Sequence, residues 1–155
     1  MQDESSNLEA WSTAVRESSL KRLRLVPVGW ENWRPIPGAM SFTEIARHIL
    51  NADIWLFRKL EDPALPALKG SANSADVANR KDYIDILRNL ERTGHQRSDL
   101  IQRLTQEQLA HQISDERFGG KASVWWVIVR GNLDHEVHHR GQLAVYLRIA
   151  KLTTP

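Results

Sequence analysis

The chain has 155 residues, enough for one domain (1–155) with its own core, and no cysteine, which removes disulfides, thiolate metal ligands and a cysteine nucleophile. Its 21 Lys/Arg and 19 Asp/Glu nearly cancel, and the densest basic run, Lys21, Arg22 and Arg24, is interrupted by leucines, so there is no phosphate-binding stripe and no nucleic-acid partner is expected. No apolar run approaches the ~18 residues of a membrane span, and the start, Met-Gln-Asp-Glu-Ser-Ser, lacks the basic and apolar regions of a signal peptide, so a soluble cytoplasmic protein is expected.

Four segments carry helical spacing and none shows sustained strand alternation. The first spans about Asn7 to Leu25, with Leu8, Trp11, Val15 and Leu23 near one face, and Pro27 and Gly29 end it. The second opens on Ser41-Phe42-Thr43-Glu44, a capping box in which the Ser hydroxyl accepts from the Glu amide and the Glu carboxylate reaches back. It runs to about Leu60 and presents Ile45, His48, Ala52, Trp55 and Leu56. Residues 61 to 75 form a loop. The third spans about Asp76 to Leu104, with Tyr83, Leu87, Leu90, Gly94 and Ile101 on one stripe; Thr105-Gln106-Glu107-Gln108 caps a further short turn. Phe118-Gly119-Gly120 breaks the chain, and a fourth helix spans about Ala122 to Lys151. This pattern predicts an all-α fold, a four-helix bundle whose first two helices are joined by a long connection, Val26–Met40.

Chemistry concentrates in Asp134-His135-Glu136-Val137-His138-His139-Arg140. His135 and His139 are four apart and share a helix face, roughly 5–6 Å between Cβ atoms, which lets two imidazoles meet one ion. The positions on that face are Val124, Ile128, Gly131, Gln142, Tyr146 and Ile149, mostly apolar or small, so unpaired rings there would cost free energy. His48 lies between Ile45 and Trp55 on an equally apolar face. One shared divalent ion accounts for all three histidines better than three separate core histidines do. His138, three residues after His135, competes with His139, and helical angle alone does not separate them. His95 and His111 sit in polar surroundings and read as solvated. His135-Glu136-x-x-His139 also has the form of a zinc-protease motif, but no His, Asp or Glu follows His139 to complete that ligand set.

His135-Glu136-Val137-His138-His139-Arg140-Gly141-Gln142-Leu143, followed by Tyr146-Leu147-Arg148, resembles the late helix of the DinB/YfiT-like superfamily, where a His-rich segment runs into Arg-Gly-Gln. Asn32-Trp33-Arg34-Pro35-Ile36-Pro37-Gly38, then Ser41 to His48, resembles the family's Trp/Pro connection and capped helix. The resemblance covers nearly the whole chain. It implies a four-helix bundle holding a divalent metal, zinc or nickel, on three His, which by position are His48, His135 and His139. It thereby favours His139 over His138. It also implies a homodimer, and chemistry of the thiol S-transferase or isomerase kind with bacillithiol, mycothiol or glutathione.

Three neutral imidazoles leave an ion its full charge and an open position, the arrangement of catalytic rather than structural zinc sites. Two reactions follow: delivery of a low-molecular-weight thiol to an electrophile, and hydrolysis. The non-enzymatic alternative is a metal-binding stress protein. Around the site, Gln142 is expected to orient substrate or water, and Glu44 to act as a base, hold an imidazole or simply cap its helix. Glu136 and Asp134 are expected to accept ring N–H groups, Arg140 to point away from the metal, and Trp33 with the Val26–Met40 segment to line the pocket mouth. Ion affinity is expected to fall as pH drops through roughly 6.5, where free imidazole protonates.

Overall fold

The structure, a computed structural model, describes residues 4–68 and 75–151. It is mostly helical. Helix α1 spans Glu4–Arg24, α2 Phe42–Glu61 and α3 Arg80–Gln102; a short α4 spans Gln106–Ala110. A β-hairpin follows, β1 Gln112–Asp115 and β2 Gly120–Ser123, joined by a 3-10 turn at Glu116–Phe118. The chain ends on α5, Val124–Ile128, a π-helical turn, Val129–Leu133, and α6, Asp134–Ile149.

Local chemistry sets these boundaries. Ser41 makes the expected capping box: its Oγ accepts from the Glu44 amide at 3.1 Å and its own N–H donates to Glu44 Oε2 at 2.6 Å. Thr105 and Gln108 repeat the arrangement at α4. Asn79 caps α3, accepting from the Asp82 amide at 3.0 Å, which starts that helix at Arg80 rather than near Asp76. Of the loop expected over residues 61 to 75, residues 69–74 lie outside the described residues.

The expectation of a purely helical chain is overturned at the hairpin. The pair is antiparallel, with Gln112 opposite Ser123 and Asp115 opposite Gly120. Alternation over Gln112-Ile113-Ser114-Asp115 is only four residues long, with Ile113 and Asp115 buried, too short to register as a strand pattern. Gly119 and Gly120, at φ of 79° and 99°, supply the backbone region that closes the turn. The helix expected from about Ala122 to Lys151 starts two residues later, because Ala122 is in β2 and Ser123 caps α5, and it runs to Ile149 with a π turn between α5 and α6.

Helix α1 packs on α3 and α6, and α2 packs on the same two helices from the other side. Two apolar clusters result. One holds Leu20, Leu23, Phe42, Ile45, Tyr83, Leu90, Leu143 and Tyr146. The other holds Leu8, Trp55, Leu56, Ile101, Leu109, Ile113, Ile128 and Leu133, so the hairpin closes that end of the core. Two residues assigned to buried faces are not in the core. Trp11 is 38% exposed, and Ile149 is 56% exposed. Tyr146 packs on Phe42, the first residue of α2, so α6 continues past the end of its neighbour and leaves Ile149 exposed.

Between the two clusters lies a buried ionic layer with one residue from α1, one from α2, one from α3 and one from α6. Arg16 forks onto Glu136, Nε to Oε1 at 2.8 Å and Nη2 to Oε2 at 2.9 Å, and also reaches Asp53 Oδ2 at 2.7 Å. Arg97 donates to Asp53 Oδ1 at 3.0 Å and Glu136 Oε2 at 2.6 Å. Asn132, Thr93 and Ser12 bond the same charges. Two guanidinium groups face two carboxylates, so the layer is neutral and its polar groups are paired, as burial requires. Gly94 belongs to this layer: a Cβ there would stand 2.6 Å from Arg16 Cγ.

Candidate metal centre

Helices α2 and α6 bring three imidazoles to one point. His135 Nε2 lies 2.8 Å from His48 Nε2 and 3.1 Å from His139 Nε2. The ring centroids are 4.5–4.8 Å apart, and a ligating nitrogen from each ring lies within 4.8 Å of the others. The i, i+4 spacing on α6 and the position of His48 two turns into α2 produce this meeting. His138 projects to solvent from the next face and takes no part. His95 and His111 are exposed and do not belong to the group.

Three tests show how this group suits a cation. Two nitrogens each bound at ~2.0–2.1 Å to a tetrahedral ion are about 3.3 Å apart, near the 3.1 Å of His135 and His139 and somewhat longer than the 2.8 Å of His135 and His48. Proton accounting points the same way. Gln142 Oε1 accepts from His139 Nδ1 at 2.7 Å, so neutral His139 turns a bare Nε2 toward its neighbours. His135 Nε2 stands between two other Nε2 atoms, and its Nδ1 is buried with no partner among the described residues. One proton cannot serve that arrangement well, whereas one cation accepts all three lone pairs. Lastly, all three rings are held neutral. Burial, reinforced by the neighbouring imidazoles, pushes His135 down to about 3; burial pushes His139 down to about 4 and lowers His48 as well.

These shifts move the acid limit of ion binding below the roughly 6.5 expected from free imidazole. A folded-state pKa below the unfolded value means that the unfolded chain takes up protons first. Stability of the ion-free protein should therefore decline as pH falls below about 6.5. In the folded site His135 and His139 should resist protons until near pH 4 and below, and His48 should resist them below its ordinary value. Dialysis at stepped pH, with metal content measured at each step, should show release displaced below the pH at which free imidazole protonates; half-release at or above about 6.5 would contradict the shifts.

The other residues singled out in the sequence fall into two groups. Gln142 orients the His139 ring rather than facing an open position. Glu44, one turn before His48, has its carboxylate engaged by the Ser41 amide and by Arg34 Nη2 at 3.3 Å. Trp33 stacks on Phe42 with centroids 5.7 Å apart and meets Tyr146 edge-on at 5.9 Å, so it anchors the connection between α1 and α2 to the end of α6. Glu136 and Asp134 do not accept from imidazole as expected. Glu136 lies about 100° around the helix from His135 and is consumed by Arg16 and Arg97, which hold its carboxyl down at about 2 against the opposing effect of burial. Asp134 pairs with Arg130 on the surface. The ionic layer was missed in the sequence; its one visible trace was Arg16, Asp53 and Arg97 standing at core positions of their helices.

The sequence profile of the DinB superfamily matches residues 13–143. The chain belongs to the DinB superfamily. This DinB chain is 24% identical over 119 residues to the uncharacterized protein YjoA of Bacillus subtilis strain 168, covering 76% of this chain and 71% of YjoA. Its fold is similar to the crystal structure of YjoA, a DinB-like protein, with a TM-score of 0.70 at 20% identity over 95% of this chain and 93% of that one. A DinB-like protein from Bacillus cereus ATCC 10987 gives a TM-score of 0.69 at 23% identity, over 96% and 93%. Among the described residues no helix is long and apolar enough to cross a membrane.

Proposed function

We propose that this DinB-superfamily chain is a divalent-metal-dependent S-transferase that activates a low-molecular-weight thiol, with His48, His135 and His139 holding zinc or nickel. The observation that carries this reading is the convergence of three neutral imidazoles with no fourth Asp, Glu or His in the same group among the described residues. Three protein ligands leave a coordination position for a substrate. A bound divalent ion would supply the positive charge that favours the thiolate form of a thiol beside it. The chain has no cysteine, so the sulfur must come from outside. The chain's own contribution is to hold that charge in place: Gln142 fixes the His139 ring, burial keeps the three imidazoles unprotonated, and the ionic layer locks α6 against α1 and α3 beside His135.

The reading includes a four-helix bundle as the frame, built from α1, α2, α3 and the continuous α5–α6 segment, and Trp33 at the pocket mouth. It also includes a cytoplasmic homodimer, for which exposed Val28, Ile36, Val145 and Ile149 supply apolar surface. The test is conjugation of a small thiol to 1-chloro-2,4-dinitrobenzene by zinc- or nickel-loaded protein. Conjugation above the rate of the ion-free protein, lost in His135→Ala, is expected. Equal rates with and without the ion would refute the transferase reading, and ester hydrolysis in their place would favour a hydrolase.

A further inference from the structure

Arg117 stands on the turn between β1 and β2, but its side chain crosses into the space between α2 and the π turn. Its Cζ lies 4.4 Å from the Trp55 ring centroid, so the guanidinium is over the indole. It also lies against Gly131, where a Cβ would be 2.8 Å from Nη2 and 3.4 Å from Nη1. Trp55 is on the face of α2 that carries His48 and Ala52. Gly131 is four residues before His135, so it faces the same way and lies about 6 Å along the axis. The cation therefore stands about one helical turn from His135 along α6 and about two turns from His48 along α2, and a side chain at position 131 would occupy its place.

The guanidinium is fixed in orientation. Nε donates to Asp115 Oδ1 at 3.0 Å and Nη2 donates to Asp115 Oδ2 at 2.7 Å, and Asp115 is fully buried. This leaves Nη1, from which no described residue accepts, on a side chain that keeps 28% exposure. A guanidinium stacked on an aromatic face and clamped along one edge presents its remaining donors with little entropy left to lose, and its planar fork suits a carboxylate.

We propose that Arg117 is the receptor for a carboxylate carried by the thiol co-substrate, whose sulfur reaches the three-histidine centre; this rests on the metal reading above. A separation of one helical turn is spanned by a thiol whose carboxylate is two or three carbons from sulfur. Gly131 is then a specificity-determining residue, because it makes room for the cation that reads the charge.

The experiment uses the full chain loaded with cobalt, whose visible and thiolate charge-transfer absorption report binding. The probes are 3-mercaptopropionate and 3-mercaptopropionamide, alike except for charge. The unmodified protein is expected to bind the carboxylate about tenfold more tightly, the size of one charge-assisted hydrogen bond. Arg117→Gln should erase that preference while leaving affinity for the amide unchanged. Because Arg117→Gln strands a buried aspartate, Gly131→Ala provides a second route: it displaces the guanidinium but leaves both charges of the Arg117–Asp115 pair in the protein, and should also erase the preference. Equal affinities in the unmodified protein, or a preference that survives both substitutions, would overturn the Arg117 site while leaving the metal centre standing. Failure of the chain to take up cobalt would remove the centre and this proposal with it.

Discussion

Alanine at His48, His135 or His139 is expected to strip the protein of its divalent ion, while His138→Ala leaves the metal content near one ion per chain. The three Nε2 atoms meet within hydrogen-bonding distance along the chain His48–His135–His139. Two remaining imidazoles are a poor chelate for a labile ion, so each loss should weaken binding by at least about a hundredfold, beyond the 10–100-fold typical of removing a residue that only orients a ligand. His138 is exposed and its ring, 5.1 Å from that of His139, turns away from the cluster. Metal analysis of the four purified variants after dialysis reads the result directly. Loss of the ion in His138→Ala together with retention in His139→Ala would reassign the ligand, and retention in all four would place the site elsewhere.

The second large effect concerns the fold. Glu136→Ala should destabilise the protein by about 3–5 kcal/mol, because it leaves two buried guanidinium groups facing a single carboxylate, Asp53. For a chain of this size that corresponds to a fall of roughly 10 °C or more in Tm. Arg97→Met should cost a similar amount, since Arg97 is wholly buried and bonds Asp53, Asn132, Glu136 and Ser12. The double variant Glu136→Met/Arg97→Met removes one charge of each sign and should cost clearly less than the sum of the single changes. Urea denaturation of the three proteins measures this coupling. Single-variant losses below about 1 kcal/mol, the range of exposed pairs, would mean that the layer is solvated in solution.

The expected effect at Glu136 also shows where sequence reasoning stopped. Glu136 and His135 are adjacent, and a helical wheel accepts either the role of a ring N–H acceptor or that of a core ion-pair partner. The choice depends on what α1 and α3 present to that face, and Arg16 is 120 residues away in the chain. Gln142 is similar. Its position near the histidines followed from spacing, but whether it faces an open position or the Nδ1 of His139 is a matter of rotamer and packing.

What the sequence determined by itself was short-range. Capping boxes at Ser41 and Thr105, apolar residues at 3.6 spacing, and the i, i+4 pair of His135 and His139 act within one or two turns, so they can be read from the string. The His-rich segment running into Arg140-Gly141-Gln142 was likewise enough to indicate the superfamily. The tertiary structure alone decided five things. It brought His48 against α6 and turned His138 away. It committed Glu136 to the ionic layer, formed the hairpin from strands too short to show a period, and laid Arg117 across Gly131 and Trp55. Each of these pairs groups distant in sequence, or selects one face of a helix over another. The free energy that decides them comes from burying charge beside its partner and apolar surface against a neighbouring element, and neither exists until the helices have packed.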